Sequence, residues 1–363
     1  EILMALRTPA TWSLPPMHAS PLRCTSRQRG SLLGGGAGWH MAARSACASM
    51  GPMVVLRRTC RTACRAGRMQ GLMQRIEDCS DGYAMLPHAR PFCVAGQPLG
   101  LILPEAAKEL DRFQQVFKVT KDSIDLIAGD SMETRSEAVA GVLQELRNED
   151  KVPMLRGWRD EAWPVKATFH SDPALVIERA AGSFFGVRGF GCHINGLVES
   201  DGKTMLWVAK RAQSKPTYPG CLDHLVAGGL SHGELPRDNV IRECWEEARV
   251  PKEVAAEASP AGVVSYVQMD ETGWGIKRDV LFCYDLLVPG DFEPIAGDGE
   301  VESFQLMSLD DVVNSLASPD TTNNTTAWKP NVALVIIDML VRRGYVTPEE
   351  AGYVELVHAL RRA

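Results

Sequence analysis

GGLSHGELPRDNVIRECWEEARV, residues 228–250, is the stretch from which the fold of this 363-residue chain can be read. Pro236 suits the first turn of a helix, where its missing N–H costs nothing, and the spacing predicts a helix from Pro236 to Arg249. At about 100° per residue, Val240, Ile241, Cys244 and Ala248 share one apolar face, and Glu243, Glu246 and Glu247 gather roughly 120° away. Carboxylates at i, i+3 and i+4 are neighbours on a helix and repel one another. A hard, oxygen-seeking cation relieves that repulsion, and magnesium is content with a few carboxylates, filling its remaining positions with water and phosphate oxygens. Taken alone, three helical glutamates more often form a solvated acidic face, so their surroundings decide.

Working outward, GFGCHINGLVESDGKTMLWVAKR (189–211) reads as a hairpin turning at Asp201 and Gly202. The loop SKPTYPGCLDHLVAGG (214–229) joins it to the acidic helix. Downstream, VVSYVQMD and RDVLFCYDLLV read as strands, and EVESFQLMSLDDVVNSL as a strand and a short helix. Residues 317–329, with two overlapping N-x-T sequences, read as a polar loop. NVALVIIDMLVRRG reads as a helix ended by Gly344, and PEEAGYVELVHALRRA as one opened by Thr347 and Pro348. Upstream, FCVAGQPLGLILP is short strand material, and a helix follows from Pro104 with Ala107, Leu110, Phe113 and Phe117 as one stripe. SIDLIAG reads as a strand and SEAVAGVLQELRNED as a second amphipathic helix. The fold class expected is α+β. Its parts are a small α+β domain over 85–190, a larger domain over 191–345 and a C-terminal helix over 346–363.

Composition narrows the function. Residues 1–76 hold eleven Arg, no Lys and the single acid Glu1; subtracting their +10 from the overall −6 leaves −16 for the rest. An acidic body is expected not to bind nucleic acid, which relies on clustered Lys and Arg. The Arg-, Ser- and Ala-rich, acid-poor first 76 residues have the composition of an organelle transit peptide, leaning towards the chloroplast, with the mitochondrion or the cytoplasm as alternatives. They are set outside the fold; a disordered tail is the alternative. No apolar run approaches the ~20 residues that span a bilayer, so no membrane partner is expected. The cysteines lack paired metal-ligand spacing. Nothing in the residues sets an oligomeric state.

The decisive stretch resembles the Nudix box, G-x5-E-x7-R-E-U-x-E-E-x-G-U, through Gly228, Glu234, Arg242, Glu243, Glu246, Glu247 and Val250. Six such fixed positions match by chance on the order of 10⁻⁸ per starting point at ordinary residue usage. Cys244 stands at an aliphatic position and behaves as a small hydrophobe. Arg249 stands at the box glycine, where a left-handed backbone costs about 1–2 kcal/mol. The resemblance implies a Nudix α/β/α sandwich with a mixed sheet, and a magnesium-dependent hydrolase of a small organic diphosphate, with manganese as a substitute ion. It assigns Glu243, Glu246 and Glu247 to the metal. Arg242 would orient a glutamate, Gly228 and Gly229 would let the loop pack on the helix, and Glu234 would be structural. From DGEVESF, Glu300 would serve as a further ligand or base, with Glu302 second. Arg211, Lys215 and Tyr218 flank the box as candidate substrate-binding residues. His193, His224 and His232 read as loop or core histidines.

GWRDE, ERAAGSFFGVRGFGCHINGLV, KPTYPGCLDHLVAGG, KRDVLFCYDL and DGEVESF extend the likeness. They are similar to plant and fungal Nudix hydrolases labelled thiamine pyrophosphokinase-related, which carry an extra α+β domain before the Nudix fold. That branch implies damaged, oxo- or oxy-type thiamine diphosphate as substrate, cut to the monophosphate. A nucleoside diphosphatase acting on 8-oxo-dGDP is the first alternative, and a diphosphate-binding protein with a weakened site the second.

Overall fold

The computed structural model describes residues 67–215, 217–297, 299–318 and 327–362; the leader reading for residues 1–66 and the N-x-T sequences at 323–326 fall outside them. Residues 67–78 form a helix, α1. Its Met69, Leu72 and Ile76 are buried, and the Arg75 guanidinium donates to the Leu316 and Ser318 carbonyls at 3.0 and 2.7 Å. This corrects the reading of all of residues 1–76 as a leader. Met69, Leu72, Met73 and Ile76 recur at helical spacing, a stripe hidden within an Arg-rich composition.

Burying three such side chains contributes on the order of 5 kcal/mol, comparable to the whole stability of many domains. A chain starting at residue 67 is therefore expected to unfold cooperatively. One starting at residue 77 should lose most of that stability or precipitate. Circular dichroism melts of the two decide, and equal midpoints would show that α1 contributes nothing.

The N-terminal unit follows: β1 (Arg90–Val94), β2 (Gln97–Ile102), α2 (Pro104–Leu110), β3 (Phe117–Val119), β4 (Ile124–Leu126), α3 (Met132–Asn148), β5 (Ala162–Val165) and β6 (Leu175–Glu178). Its four-stranded sheet runs β2-β1-β4-β3, and β5 pairs with β6. Ala95 and Gly96, at φ 48° and 77°, fold FCVAGQPLGLILP into a hairpin, as two consecutive positive φ values require. The expected helical stripe stops early. α2 ends at Leu110, while Phe113 and Phe117 reach the same core from a turn and from β3. Strand pairing of β3 with β4 supplies the backbone partners that further helix would have. Ser131 caps α3, accepting from the Thr134 N–H.

The second unit is built on β7 (Arg188–Ser200), β8 (Lys203–Arg211), β9 (Leu222–Asp223), β10 (Val226–Gly229), β11 (Ser259–Met269), β12 (Ile276–Leu287) and β13 (Val301–Ser308). The sheet runs β11-β12-β7-β8-β13, with β10 on β7 and β9 on β8. β7 and β12 are parallel and the other pairs antiparallel, so the sheet is mixed as expected. One face packs on α4 (Pro236–Ala248) and α5 (Lys252–Ala255). The other carries α1, α6 (Leu309–Ala317), α7 (Pro330–Arg342) and α8 (Tyr353–Ala359). These layers make the α/β/α sandwich.

Three boundaries move. β7 begins at Arg188, ahead of the expected domain start at 191. The 3-10 helix Asp81–His88 lies against β11 and belongs to this unit instead of the first. The C-terminal helix starts at Tyr353, after Gly352 at φ 91°, and its Leu356 and Ala359 join the sandwich core, so 346–363 is no separate element. Among the described residues no helix is long and apolar enough to cross a membrane, and the six described cysteines are all free.

Candidate active site

α4 forms where the sequence predicts it, with Pro236 in its first turn and Arg249 at its C-cap in the left-handed region, φ 54° and ψ 29°. The conformation expected of the missing glycine is thus adopted by an arginine. Its guanidinium donates to the Trp245 and Gly297 carbonyls at 3.1 and 2.9 Å and lies 5.3 Å from the Trp245 ring centroid. Those contacts offset the backbone cost and fasten the segment before Glu300 to the end of α4. The Gly297 N–H also donates to the Glu247 carbonyl at 3.1 Å.

Arg242 organises the acids. It donates to both Glu234 oxygens at 2.8 and 3.1 Å, to Glu243 at 2.9 Å and to Glu246 at 2.8 Å. Glu234 is held in turn by Asn239, whose amide also donates to the Gly229 carbonyl, both at 2.9 Å. Asn239 was not singled out from sequence. The available signal was a polar side chain beside Val240, buried with the apolar face.

The three candidate metal ligands differ in setting. Glu246 is half-exposed, Glu243 mostly covered, and Glu247 only 8% exposed. The Glu243 side chain lies where a Cβ on Gly228 would be, at 2.1 Å from its Oε1, so that position must be glycine for the strand and helix to meet. Burial lifts the Glu243 carboxyl above its ordinary range, against the pull of Arg242. Burial, followed by the Glu243 charge, lifts Glu247 well above it, against one hydrogen bond from the Ala227 N–H at 3.1 Å.

Among the described residues no three acidic, histidine or cysteine side chains converge as a ready-made metal cage. Arg242 explains this, because its guanidinium draws Glu243 and Glu246 to itself. The donor set nonetheless suits a divalent cation. All donors are hard carboxylate oxygens, and Glu247 is a buried carboxylate with no cation partner among the described residues, a costly state unless a positive charge joins it.

A cavity of about 940 Å³ brings Arg242, Glu243, Glu246 and Glu247 together with Gly228, Gly229, Arg211, Lys215, Tyr218 and Glu300, within the size range of small-ligand sites. Lys215 pairs with Glu300 at 2.5 Å. Glu302 instead pairs with Lys210 at 2.7 Å and is not among the cavity-lining residues. Arg211 departs from expectation. Its donors go to Asp223 at 2.9 Å and to the Thr217 and Tyr218 carbonyls, so it fastens the 212–221 loop instead of presenting a free guanidinium.

Lys329, 106 residues along the chain from Asp223, pairs with it at 3.2 Å and lines the cavity, a placement no local pattern signals. Although burial pushes the other way, Lys329 and Arg211 help hold Asp223 well below its usual range. His193 and His224 are buried in edge contact at 4.9 Å. Burial depresses His224 to about 4, so it is neutral near pH 7 and fits the core reading. His232 is exposed in the loop.

Two family models match the chain in order: a domain of unknown function, DUF4743, over residues 71–189, and the NUDIX domain over residues 193–328. The chain is 40% identical over 303 residues to Nudix hydrolase 20, chloroplastic, of Arabidopsis thaliana, covering 81% of this chain and 78% of that protein. It is also 40% identical over 296 residues to the Arabidopsis Nudix hydrolase 24, chloroplastic, with the same coverage. An uncharacterized protein of Saccharomyces cerevisiae is 32% identical over 286 residues, covering 74% of this chain and 81% of its own length. Together with the box on β10 and α4, this likeness along both units shows that the chain belongs to the Nudix hydrolase family, enzymes that cleave diphosphates and generally use divalent metal ions such as Mg²⁺.

Proposed function

We propose that this chain hydrolyses a damaged, oxo- or oxy-type thiamine diphosphate to the monophosphate, with Glu243, Glu246 and Glu247 holding magnesium or manganese. The observation that carries the metal assignment is Glu247, buried at the cavity wall and without a cation partner among the described residues. A bound magnesium ion supplies positive charge against the phosphate oxygens and acidifies the attacking water. Arg242 fixes the carboxylates in place and, as a positioning residue, sets how far Glu243 and Glu246 reach. Lys215 and Lys329 supply the remaining positive charge for the diphosphate. A phosphate competing for Lys215 would loosen its pair with Glu300, leaving that carboxylate to take the proton of the attacking water. Arg211 and Tyr218 hold the loop that carries Lys215.

The substrate assignment rests on the branch that the motifs of both units resemble. The chloroplast is the proposed compartment, supported by the Arg-rich, acid-poor residues 1–66 and by the printed names of the Arabidopsis relatives. The test is phosphate release with magnesium from oxythiamine diphosphate, thiamine diphosphate and 8-oxo-dGDP. The expected order places oxythiamine diphosphate first in kcat/KM. Preference for 8-oxo-dGDP would keep the hydrolase and replace the substrate, and no release from any would leave a binding protein.

A further inference from the structure

The cavity is not built by the Nudix unit alone. Trp158, Glu161, Trp163 and Arg179, from the region matched only as a domain of unknown function, line it beside the box residues. Arg179 bridges the two. Its guanidinium bonds Glu161 at 2.6 Å, lies 5.1 Å from the Trp163 ring centroid, and comes within 2.8 Å of where a Cβ on Gly229 would stand.

The carboxylates of this cavity sort by whether they have a cation. Glu161 pairs with Arg179, Glu271 with Lys277, Glu300 with Lys215, and Glu243 and Glu246 with Arg242. Glu247 is assigned to the metal. Among the described residues two have neither: Asp270, whose oxygens accept from Ser183 and Thr272, and Asp279, which lies among cations while Arg179, Lys277 and Lys329 are each engaged by another carboxylate. Asp279 sits on β12 directly across from Tyr266 on β11 and Gly189 on β7.

The Asp279 carboxylate is oriented. Asn331 donates to the Tyr266 hydroxyl at 3.4 Å, and that hydroxyl donates to Asp279 Oδ2 at 2.5 Å. Oδ1 is left beside Gly189, where an added Cβ would lie 2.2 Å from it and 3.3 Å from Trp163 Cζ2. Gly189 therefore keeps open the space where the carboxylate and the indole edge meet. An oriented carboxylate without a cation, next to an aromatic wall, is the chemistry that recognises a planar organic cation.

We propose that Asp279, set by Tyr266 and Asn331 beside Trp163, is the counter-ion for a positively charged aromatic ring in the substrate, and that the N-terminal unit supplies the wall against which that ring packs. This deepens the proposed hydrolysis for the oxy-type thiamine diphosphate, whose ring keeps the positive charge that an oxo-type ring lacks, and rests on that reading for the position of the diphosphate end. Burial holds the Asp279 carboxyl above its usual range in the absence of ligand. An arriving cation relieves that penalty, while a neutral ring does not. The role is one of specificity; Asp279 is assigned no part in the bond cleavage.

The test is metal-free isothermal titration calorimetry of the full chain with thiamine monophosphate, cationic in its ring, and with deoxyguanosine monophosphate, neutral in its ring. The wild type is expected to bind the former at least tenfold more tightly. D279N, which keeps an acceptor for Tyr266 but not the charge, should lose about that tenfold, and G189A, which fills the space beside Oδ1, should lose as much. Unfolding midpoints within a few degrees of the wild type would separate this from misfolding.

Equal affinity for the two compounds, no binding of either, or undiminished affinity in D279N and G189A would overturn the proposal. Hydrolysis answers the other question. Diphosphates cleaved without regard to ring charge would leave the hydrolase standing and sink the counter-ion. Charge-selective binding without cleavage of any diphosphate would support the counter-ion and sink the hydrolase reading.

Discussion

Glu247→Gln is expected to lower kcat for diphosphate hydrolysis by about 10³-fold, the scale on which a single preorganised electrostatic contact acts in a dry site, while the protein melts no lower than the wild type. The second half of that expectation comes from the environment of Glu247. Its carboxylate is buried beside Glu243 and receives a single hydrogen bond, from the Ala227 N–H. A glutamine keeps the oxygen that accepts this bond and removes the buried charge, which without metal should stabilise the fold by roughly 1 kcal/mol, or about 2–4 °C. Activity and stability then move in opposite directions, a combination that damage to packing does not produce. Steady-state kinetics and a metal-free melt on the same preparation measure both. Unchanged kcat, or a midpoint lowered by several degrees, would remove Glu247 from the metal site or make it structural.

Gly228→Ala should be nearly as severe for one added methyl group. The new Cβ would stand 2.1 Å from Oε1, 2.2 Å from Cδ and 2.4 Å from Cγ of Glu243, closer than non-bonded atoms can come. The strand cannot retreat, because Gly228 is paired with Cys192 on β7. Glu243 must therefore swing away and lose its bond to Arg242. A kcat loss of about 10²-fold is expected, with about 1–3 kcal/mol of overpacking cost. Gly229→Ala is the control, since its Cβ meets the far end of the Arg179 side chain, which can move. A Gly228→Ala enzyme as active as Gly229→Ala would show that Glu243 need not lie over this strand.

Several of these features are set by residues close together in the chain. The acidic helix, the Asp201–Gly202 hairpin and the existence of strands downstream follow from local spacing, and local spacing is what a sequence states directly. Burial is different. A wheel drawn on α4 puts Glu243, Glu246 and Glu247 on one polar side, yet Glu247 is enclosed while Ile241, drawn with the apolar face, is only partly covered. The difference is made by β10 and the 295–297 segment, which close over the end of the helix and lie far from each other in sequence. Arg211 illustrates the same limit: a basic residue near the box suggests phosphate, but its donors are taken by Asp223 and two carbonyls.

The misread ends of elements have local causes. Phe113 and Phe117 fit a helical stripe and are buried as that stripe demands, but a turn and a strand bury them equally well. α1 carried a legible apolar stripe that the arginines around it disguised. Trp163 and Asp279, 116 residues apart, had no local signature, because the link between them is Gly189 on a third segment of chain.

Binding of Mn²⁺, followed by electron paramagnetic resonance in the wild type, Glu243→Gln and Glu247→Gln without substrate, tests most directly whether the carboxylates of α4 form a metal centre. The wild type should remove free Mn²⁺ from solution, with binding weakened at least tenfold in each variant, since each lacks a charged oxygen donor. Equal binding by all three proteins, or none by the wild type while it still hydrolyses diphosphates in magnesium, would contradict that assignment and place the metal elsewhere.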